Sequence, residues 1–136
     1  MLIIIPGNPV PAARPRVTSH GTYNPKYYEM RKISQIIKSQ WKCHPLVGPV
    51  FLNISFFMSI PKSLSIKKQK IMINKYHIKR PDIDNLEVML YNALVKAEAI
   101  IDDSQISSVT SRKVYSDNPR TEVEILMIDY DFNKDR

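Results

Sequence analysis

Apolar and polar residues alternate most regularly between positions 50 and 60 of the chain. Successive side chains of a strand point to opposite faces, so this period of two predicts a strand with one buried face, ended by Pro61. A run of apolar residues at positions 2–5 predicts a second, short buried strand that Pro6 stops. The apolar positions of the longer strand are Val50, Leu52, Ile54, Phe56, Met58 and Ile60.

Apolar residues three or four positions apart predict two long helices. The first begins at Asn24-Pro25, because asparagine is a common helix cap and proline fits the first helical position. The second runs from about Asp82 to Ala97, with Asp82 as its cap. A shorter basic helix is expected from Ser65 to about Lys75. The core stripes are Met30, Ile33, Ile37 and Trp41 in the first long helix, and Ile83, Leu86, Leu90, Ala93, Leu94 and Ala97 in the second.

The rest of the chain predicts loops and two further strands. Residues 7–22 are interpreted as an irregular or extended loop. Residues 105–115 and 121–130 are interpreted as strands, and Asn118-Pro119 between them is a turn signal, so a hairpin is expected. Together these elements predict an α+β fold, with a single domain over residues 1–136 and a small mixed or antiparallel sheet of three or four strands on which helices pack.

The net charge of the chain indicates which class of partner it could bind. The 136 residues carry a formal charge of +7, and a domain this basic often meets phosphate, on nucleic acid or on an anionic membrane surface. No run approaches the ~20 apolar residues of a membrane span, and no basic leader precedes the first strand, so a cytoplasmic protein is expected. The one cysteine, Cys43, excludes an internal disulfide and is interpreted as a half-buried thiol near a helix end.

Four aspartates form the candidate chemistry. Asp82 and Asp84 stand two residues apart at the start of the second predicted helix, so both carboxylates can reach outward near one point. Asp102 and Asp103 follow the far end of that helix and join the first pair only if the sheet returns the chain there. Converging carboxylates repel unless neutralised, and Mg²⁺ or Mn²⁺ prefers such ligands. A metal bound there could activate water and stabilise charge on a scissile phosphate.

Each acidic motif also has a purely structural interpretation. Asp82 can simply cap a helix, Asp84 can simply favour the helix dipole, and Asp102-Asp103 can simply form a turn. A calcium loop starting at Asp82 is excluded, because its sixth position is Glu87 rather than glycine and its twelfth is Ala93 rather than glutamate. The histidines lie in unrelated segments and are expected at the surface. They are His20, His44 and His77.

A series of motifs follows one order along the chain. The acidic segment is Arg80-Pro-Asp82-Ile-Asp84-Asn85-Leu86, followed by Asn92-Ala-Leu94 and by Asp102-Asp103-Ser-Gln105-Ile. Before it stand Asn8-Pro-Val-Pro11-Ala-Ala-Arg14-Pro-Arg16 and Gly21-Thr-Tyr23-Asn-Pro25-Lys26, and after it stand Lys113-Val-Tyr115 and Asn118-Pro-Arg120-Thr-Glu122. In this order, over nearly the whole chain, the motifs resemble the RusA-type Holliday-junction resolvases of bacteria and their prophages.

The resemblance implies a homodimeric, Mg²⁺-dependent endonuclease, with Mn²⁺ as an alternative metal. Such an enzyme resolves a branched DNA, the four-way junction, by paired nicks in recombination and repair. The resemblance further implies that Asp82, Asp84 and Asp103 bind the metal and are catalytic. Asp102 is implied as a further candidate ligand.

Two positions depart from the family pattern. Val88 stands where the family usually has a lysine, one helical turn after Asp84, and Asn92 replaces a usual aspartate. Lys96 is expected to be a poor substitute for that lysine, because twelve residues of helix place it about 18 Å away. The departures leave a second function open, a junction-binding protein with reduced or lost cleavage.

Basic side chains near Tyr23 and Tyr27 predict contacts with DNA, since this mixture can bind phosphates and stack on exposed bases. A solvated basic loop is the alternative. Residues 62–79 are rich in lysine and are interpreted as an arm along the DNA backbone, so binding should weaken with salt. A general nucleic-acid-binding protein with structural aspartates is a third possible function. The candidate DNA-binding residues are Arg14, Arg16, Lys26, Lys79, Arg80 and Lys113.

Overall fold

Helices and strands alternate irregularly along residues 1–128, the part of the chain that the computed structural model describes. In chain order the strands are β1 (Leu2–Pro6), β2 (Arg16–Thr18), β3 (Gly21–Tyr23), β4 (Val50–Ser59), β5 (Ile106–Ser116) and β6 (Arg120–Met127). The helices are α1 (Tyr27–Gln40), α2 (Ile66–Met72) and α3 (Ile83–Lys96), and a 3₁₀ turn spans Asp103–Gln105. The three predicted helices and the alternating strand are therefore all present.

Strand β4 lies inside a mixed sheet with the order β1-β6-β4-β5. It pairs antiparallel with β6 and parallel with β5, while β6 pairs antiparallel with β1. The interior position suits its sequence, because Leu52 and Ile54 are buried on one face and Phe57 is buried on the other. This four-stranded mixed sheet with helices confirms the expected α+β fold.

The predicted hairpin between the last two strands is wrong, because β4 lies between β5 and β6. Residues 117–119 cross the end of β4, a distance of about 10 Å for two strand spacings. The turn signal at Asn118-Pro119 correctly marks where the chain reverses. It does not determine the neighbour, and the long apolar strand β4 takes the place between β5 and β6. Residues 129 and 130 of the predicted last strand lie outside the described residues.

The segment before α1 also differs from its prediction. Residues 7–22 are not wholly irregular, because β2 and β3 pair as a short antiparallel hairpin. Helix α1 begins at Tyr27 rather than at Pro25, and Asn24 does not cap it. Instead, the Asn24 Oδ1 accepts a hydrogen bond from the Lys26 N–H at 2.9 Å. Asparagine here forms a tight turn that precedes the helix, an alternative that its short side chain always offers.

Helices α1 and α3 pack on one face of the sheet and enclose the core. Most residues of the two predicted core stripes are buried. Met30, Ile33 and Ile83 are half-buried at the border of the core, and Met89 is buried although it was not predicted to be. Burying one large aliphatic side chain contributes about 1.5–3 kcal/mol, so this layer fixes α3 firmly. The buried stripe residues are Ile37, Trp41, Leu86, Leu90, Ala93, Leu94 and Ala97.

Residues 1–128 also test three smaller predictions, which concern Cys43, the histidines and membrane-spanning helices. Cys43 follows the end of α1 as expected, but its thiol is exposed rather than half-buried. His20 and His44 are exposed, whereas His77 is half-buried and packs against Tyr115, with ring centroids 4.8 Å apart and ring planes inclined at 57°. Over the described part of the chain, each helix is too short and too polar to cross a membrane.

Candidate functional site

The N-terminal end of α3 presents two exposed carboxylates. Asp82 takes the cap position of α3 in an extended conformation, which confirms the predicted cap residue, but its side chain makes no capping hydrogen bond. The Asp84 Oδ1 accepts one hydrogen bond, from the neighbouring Asn85 N–H at 2.9 Å. Within residues 1–128 neither carboxylate forms an ion pair. Their oxygens are therefore largely free to bind a ligand.

An open cleft lies beside this end of α3. Asp82 and Asn85 form one side of it, Arg80 and Pro81 lead into it, and the proline-rich N-terminal segment forms the other side at Pro11 and Ala12. The Ala12 N–H donates to the Asn85 carbonyl at 2.9 Å, which fastens that segment to the first turn of the helix. Asp82 and the exposed Arg80 thus line one concave surface, and Asp84 follows in the first turn of the helix.

The C-terminal end of α3 leads into the turn that carries the other two aspartates. The Asp102 carboxylate accepts hydrogen bonds from the Ser104 hydroxyl and the Ser104 N–H, and these bonds lower the pKa of Asp102 below its usual value. Asp103 is exposed, and its carboxylate accepts no hydrogen bond from residues 1–128. Of this pair, Asp103 is consequently the free carboxylate.

Gln105 fixes this turn in place. Its Oε1 accepts from the N–H groups of Ile101 and Asp102 at 2.7 and 3.0 Å, and its Nε2 donates to the carbonyls of Leu46 and Gly48 at 2.8 and 2.9 Å. One amide therefore joins the turn to a loop far away in sequence. The motif Asp102-x-x-Gln105 is the pattern of a capping box, a signal that could have identified the role of Gln105 from the sequence.

A second groove opens at this end of the helix. Asp102 and Asp103 line it together with Asn92 and Lys96 of α3, and Asn24 and Met30 form its far side. Lys96, which sequence reasoning dismissed as too far from Asp84, is thus a neighbour of Asp103. The sequence could have indicated this proximity, because Lys96 lies in the last turn of α3, seven residues before Asp103.

The structure does not bring the three predicted metal ligands together within one chain. Asp82 and Asp84 precede or begin the 14-residue helix α3, and Asp103 follows it. Even Asn92, which shares the groove of Asp103, lies about 12 Å along the helix from Asp84. Accordingly, residues 1–128 contain no group of three or more acidic, histidine or cysteine side chains placed to hold a metal ion.

The predicted DNA-binding residues occupy different surroundings. Arg14, Arg16, Lys79 and Arg80 are exposed, and Lys26 is half-buried at the start of α1. Lys113 is half-buried on β5, and its ammonium donates to the carbonyls of Lys79 and Pro81, both at 2.7 Å. Most of these cations therefore remain available to a ligand, whereas Lys113 is engaged by the chain itself.

Comparison with known proteins gives the family. A family model described as endodeoxyribonuclease RusA matches residues 6–126. The chain belongs to the RusA family. It is 33% identical over 93 residues to the crossover junction endodeoxyribonuclease rusA of Lactococcus phage r1t, covering 68% of this chain and 66% of the phage protein. It is also 30% identical over 131 residues to the uncharacterized protein YqaN of Bacillus subtilis (strain 168), covering 88% of this chain and 90% of that protein.

Membership in the RusA family agrees with the motif order along the chain and with the mixed sheet. The family is described as an endodeoxyribonuclease, so this RusA member is a nuclease by family. Asp82 lines an open groove at one end of α3, and Asp102 and Asp103 line another at the opposite end. What distinguishes the arrangement is that each groove holds only part of the predicted ligand set.

Proposed function

We propose that this chain is a Mg²⁺-dependent endonuclease that resolves Holliday junctions by paired nicks in recombination and repair. The observation that carries the proposal is the pair of free carboxylates, Asp82 and Asp84, at the N-terminal end of α3, where Asp82 and Arg80 line an open cleft. Family membership supplies the reaction class. The phage relative, whose name states crossover junction cleavage, supports the choice of substrate.

The residues at the N-terminal end of α3 fit a magnesium ion. Magnesium is commonly held by one or two carboxylates and completes its shell with water and substrate phosphate. Asp82 and Asp84 supply such oxygens without having to break a capping bond or an ion pair. When bound, the ion supplies an activated water and charge stabilisation at the scissile phosphate, and Mn²⁺ can substitute for it.

In this proposal a second copy of the chain completes the site. The exposed stripe of α3 runs through Asn85, Val88, Asn92 and Lys96, all within about a third of the helix circumference. Both acidic grooves open on this stripe, because Asn85 lines the first and Asn92 and Lys96 line the second. A two-fold axis across its middle sets two α3 helices antiparallel, so that Asp103 of the partner subunit approaches Asp82 and Asp84.

The same pairing supplies the cation that the chain lacks at Val88. Because Lys96 and Asp103 share a groove, the partner's Lys96 arrives together with the partner's Asp103. A lysine facing the Asp84 end of the opposite helix is electrostatically complementary. Two such sites per homodimer then face two strands of like polarity, as symmetrical resolution of a four-way junction requires.

The exposed cations provide the proposed DNA contacts. Arg14 and Arg16 lie on the N-terminal segment that forms one wall of the Asp82 cleft, and Lys79 and Arg80 lead into that cleft. Lys26 stands at the start of α1. Contacts of this kind bind phosphates and set the orientation of the duplex, while the shape of the branch provides selectivity. A cytoplasmic location stays a prediction.

A synthetic four-way junction and a matched linear duplex test the activity. With Mg²⁺ the wild-type protein should nick the junction in pairs, and EDTA or Asp84→Asn should abolish the nicks. Asp117→Asn, which changes an exposed aspartate in the β5–β6 connection, is the matched control and should cleave normally. Equal affinity for both DNAs without cleavage would instead indicate a general nucleic-acid-binding protein.

A second function is favoured by one specific feature. Val88 is 45% exposed one turn after Asp84, where the family usually has a lysine, so an isolated N-terminal site lacks that cation. A protein of this kind could bind junctions and cleave them poorly. Selective junction binding without nicks at every Mg²⁺ or Mn²⁺ concentration would support this second function over the first.

A further inference from the structure

Lys113 is the one candidate DNA-binding cation that the fold itself engages. It lies on β5 opposite Phe56 of β4, and its ammonium donates to the carbonyl oxygens of Lys79 and Pro81, both at 2.7 Å. These two carbonyls flank Arg80, and the second belongs to the residue immediately before Asp82. We call this pair of hydrogen bonds the Lys113 clamp.

The clamp holds a segment that has few other attachments. Residues 74–77 are fastened to β5 by backbone hydrogen bonds, Asn74 N–H to the Tyr115 carbonyl and His77 N–H to the Lys113 carbonyl among them. Within residues 1–128, no backbone hydrogen bond outside helix α3 then involves residues 78–81. The next attachment is the first turn of α3, where Leu86 N–H donates to the Asp82 carbonyl at 3.3 Å. Between these points the chain depends on the Lys113 side chain.

Two hydrogen bonds from one charged ammonium are well suited to this task, because hydrogen bonds that involve an ionised group are stronger than neutral ones. The carbonyls are neutral, so the ammonium keeps its positive charge while it fixes the backbone next to Asp82. Lys113 has already used two of its three donors, which leaves it poorly placed to bind a DNA phosphate.

We propose that Lys113 is a positioning residue for Asp82: its clamp fixes the turn before α3 and thereby sets the spacing of the Asp82 and Asp84 carboxylates. The inference deepens the proposed function and rests on it for the role of the two aspartates. The attachment of residues 78–81 by the clamp does not depend on the role of the two aspartates, so it can be measured without metal or DNA.

Trypsin provides the direct measurement. It cuts after lysine and arginine but poorly before proline, so in this segment it can cut after Lys79 and hardly after Arg80, which Pro81 follows. The carbonyl of that susceptible bond is one of the two that the clamp holds. In Lys113→Met, cleavage after Lys79 should be about 10-fold faster than in wild type, because opening of the segment no longer breaks charged hydrogen bonds. Lys113→Arg, which keeps the charge and the donors, should remain largely protected.

Lys75→Met is the matched control, since Lys75 is exposed in the same segment and its ammonium makes no hydrogen bond or ion pair with residues 1–128. Mn²⁺ binding to the free protein, followed by electron paramagnetic resonance, should weaken about 10-fold in Lys113→Met and stay unchanged in Lys75→Met, as expected when an outer partner of a metal site is lost. The thermal midpoint should change little, because the core is untouched.

One specific combination of results would contradict the role proposed for Lys113. If Lys113→Met is cut after Lys79 no faster than Lys75→Met, while the slope of log affinity for DNA against log salt falls by about 1, Lys113 contacts a phosphate and the clamp is wrong. If wild type fails to bind Mn²⁺ but Lys113→Met is still cut faster, the metal site of the proposed function is wrong and the clamp stands.

Discussion

The two ends of helix α3 carry similar carboxylates but are built differently. At the N-terminal end both Asp82 and Asp84 are free, and a charged side chain, Lys113, holds the preceding turn. At the C-terminal end Asp102 is engaged by Ser104, and the neutral amide of Gln105 holds the turn with four hydrogen bonds. The first end thus offers two ligands and the second offers one, so neither alone is the complete set that the family pattern implies.

The largest expected effect is on junction nicking, and it differs between the two aspartates that follow the C-terminal end of α3. Asp103→Asn should lower junction nicking by more than about 100-fold, because it removes a free carboxylate from the proposed site, whereas loss of an outer partner costs only 10–100-fold. Asp102→Asn should cost far less, since that carboxylate is committed to Ser104. Nicking rates under single-turnover conditions decide this. Equal losses in both variants would remove the distinction between the two residues.

A smaller effect is expected at Lys96, which shares the groove of Asp103. Lys96→Met should slow nicking by about 100-fold, as for the loss of one group that stabilises developing charge. Adding Val88→Lys, at an exposed position one turn after Asp84, should restore much of the rate because it returns a cation to the same phosphate. Lys42→Met, at an exposed position after α1 that lines neither groove, serves as the control. Full activity of Lys96→Met would show that Lys96 does not supply this charge.

The hydrogen bonds of Gln105 give an effect on stability. Gln105→Leu leaves two N–H groups and two carbonyls without their partner and should lower the free energy of unfolding by about 1–3 kcal/mol. Urea denaturation measures it, and Gln69→Leu on the exposed helix α2, where one such bond is lost, should cost less. The N-terminal end should be unaffected, so trypsin cleavage after Lys79 in the native state should not change.

The smallest effect concerns pH at the N-terminal end. Burial, and then the charges of Lys113 and Lys79, lower the pKa of His77 below its usual value of 6.5. The unfolded chain therefore binds a proton more readily than the folded one, and stability should fall as pH drops from 6.5 towards the lowered pKa. His77→Phe, which keeps a ring against Tyr115, should flatten this part of the profile. A profile that keeps the same slope in His77→Phe would assign it to another group.

The elements of the fold were predictable where the signal is local. Helix α3 follows from its apolar spacing, and β4 follows from its alternation. The pairing of β4 with β5 and β6 was not predictable from the turn at Asn118-Pro119, because pairing depends on contacts far apart in sequence. One signal for the interior position of β4 was present, since Phe51 and Phe57 place two large apolar side chains on its second face.

The candidate site divides in the same way. The motif identifies Asp82 and Asp84, and the structure places both at the N-terminal end of α3. The large distance between Asp84 and Asp103 could have been calculated from the sequence. Asp103 follows the end of the helix, so the helix length that separates Lys96 from Asp84 also separates Asp103 from Asp84. Gln105 and Lys113 were harder to assign, because their partners are backbone atoms that lie up to 59 and 34 residues away in sequence, respectively.

Mixing two inactive variants tests most directly whether each site combines Asp82 and Asp84 of one chain with Asp103 of another. Asp84→Asn and Asp103→Asn are unfolded together and refolded, so that mixed dimers form. In a mixed dimer one site has all its aspartates, and about a quarter of the wild-type nicking should return if half of the dimers are mixed. Asp82→Asn mixed with Asp84→Asn, which damages the same half in both chains, should stay inactive. If the first mixture also stays inactive although both variants fold, dimerise and bind the junction, the site does not combine these residues across two chains.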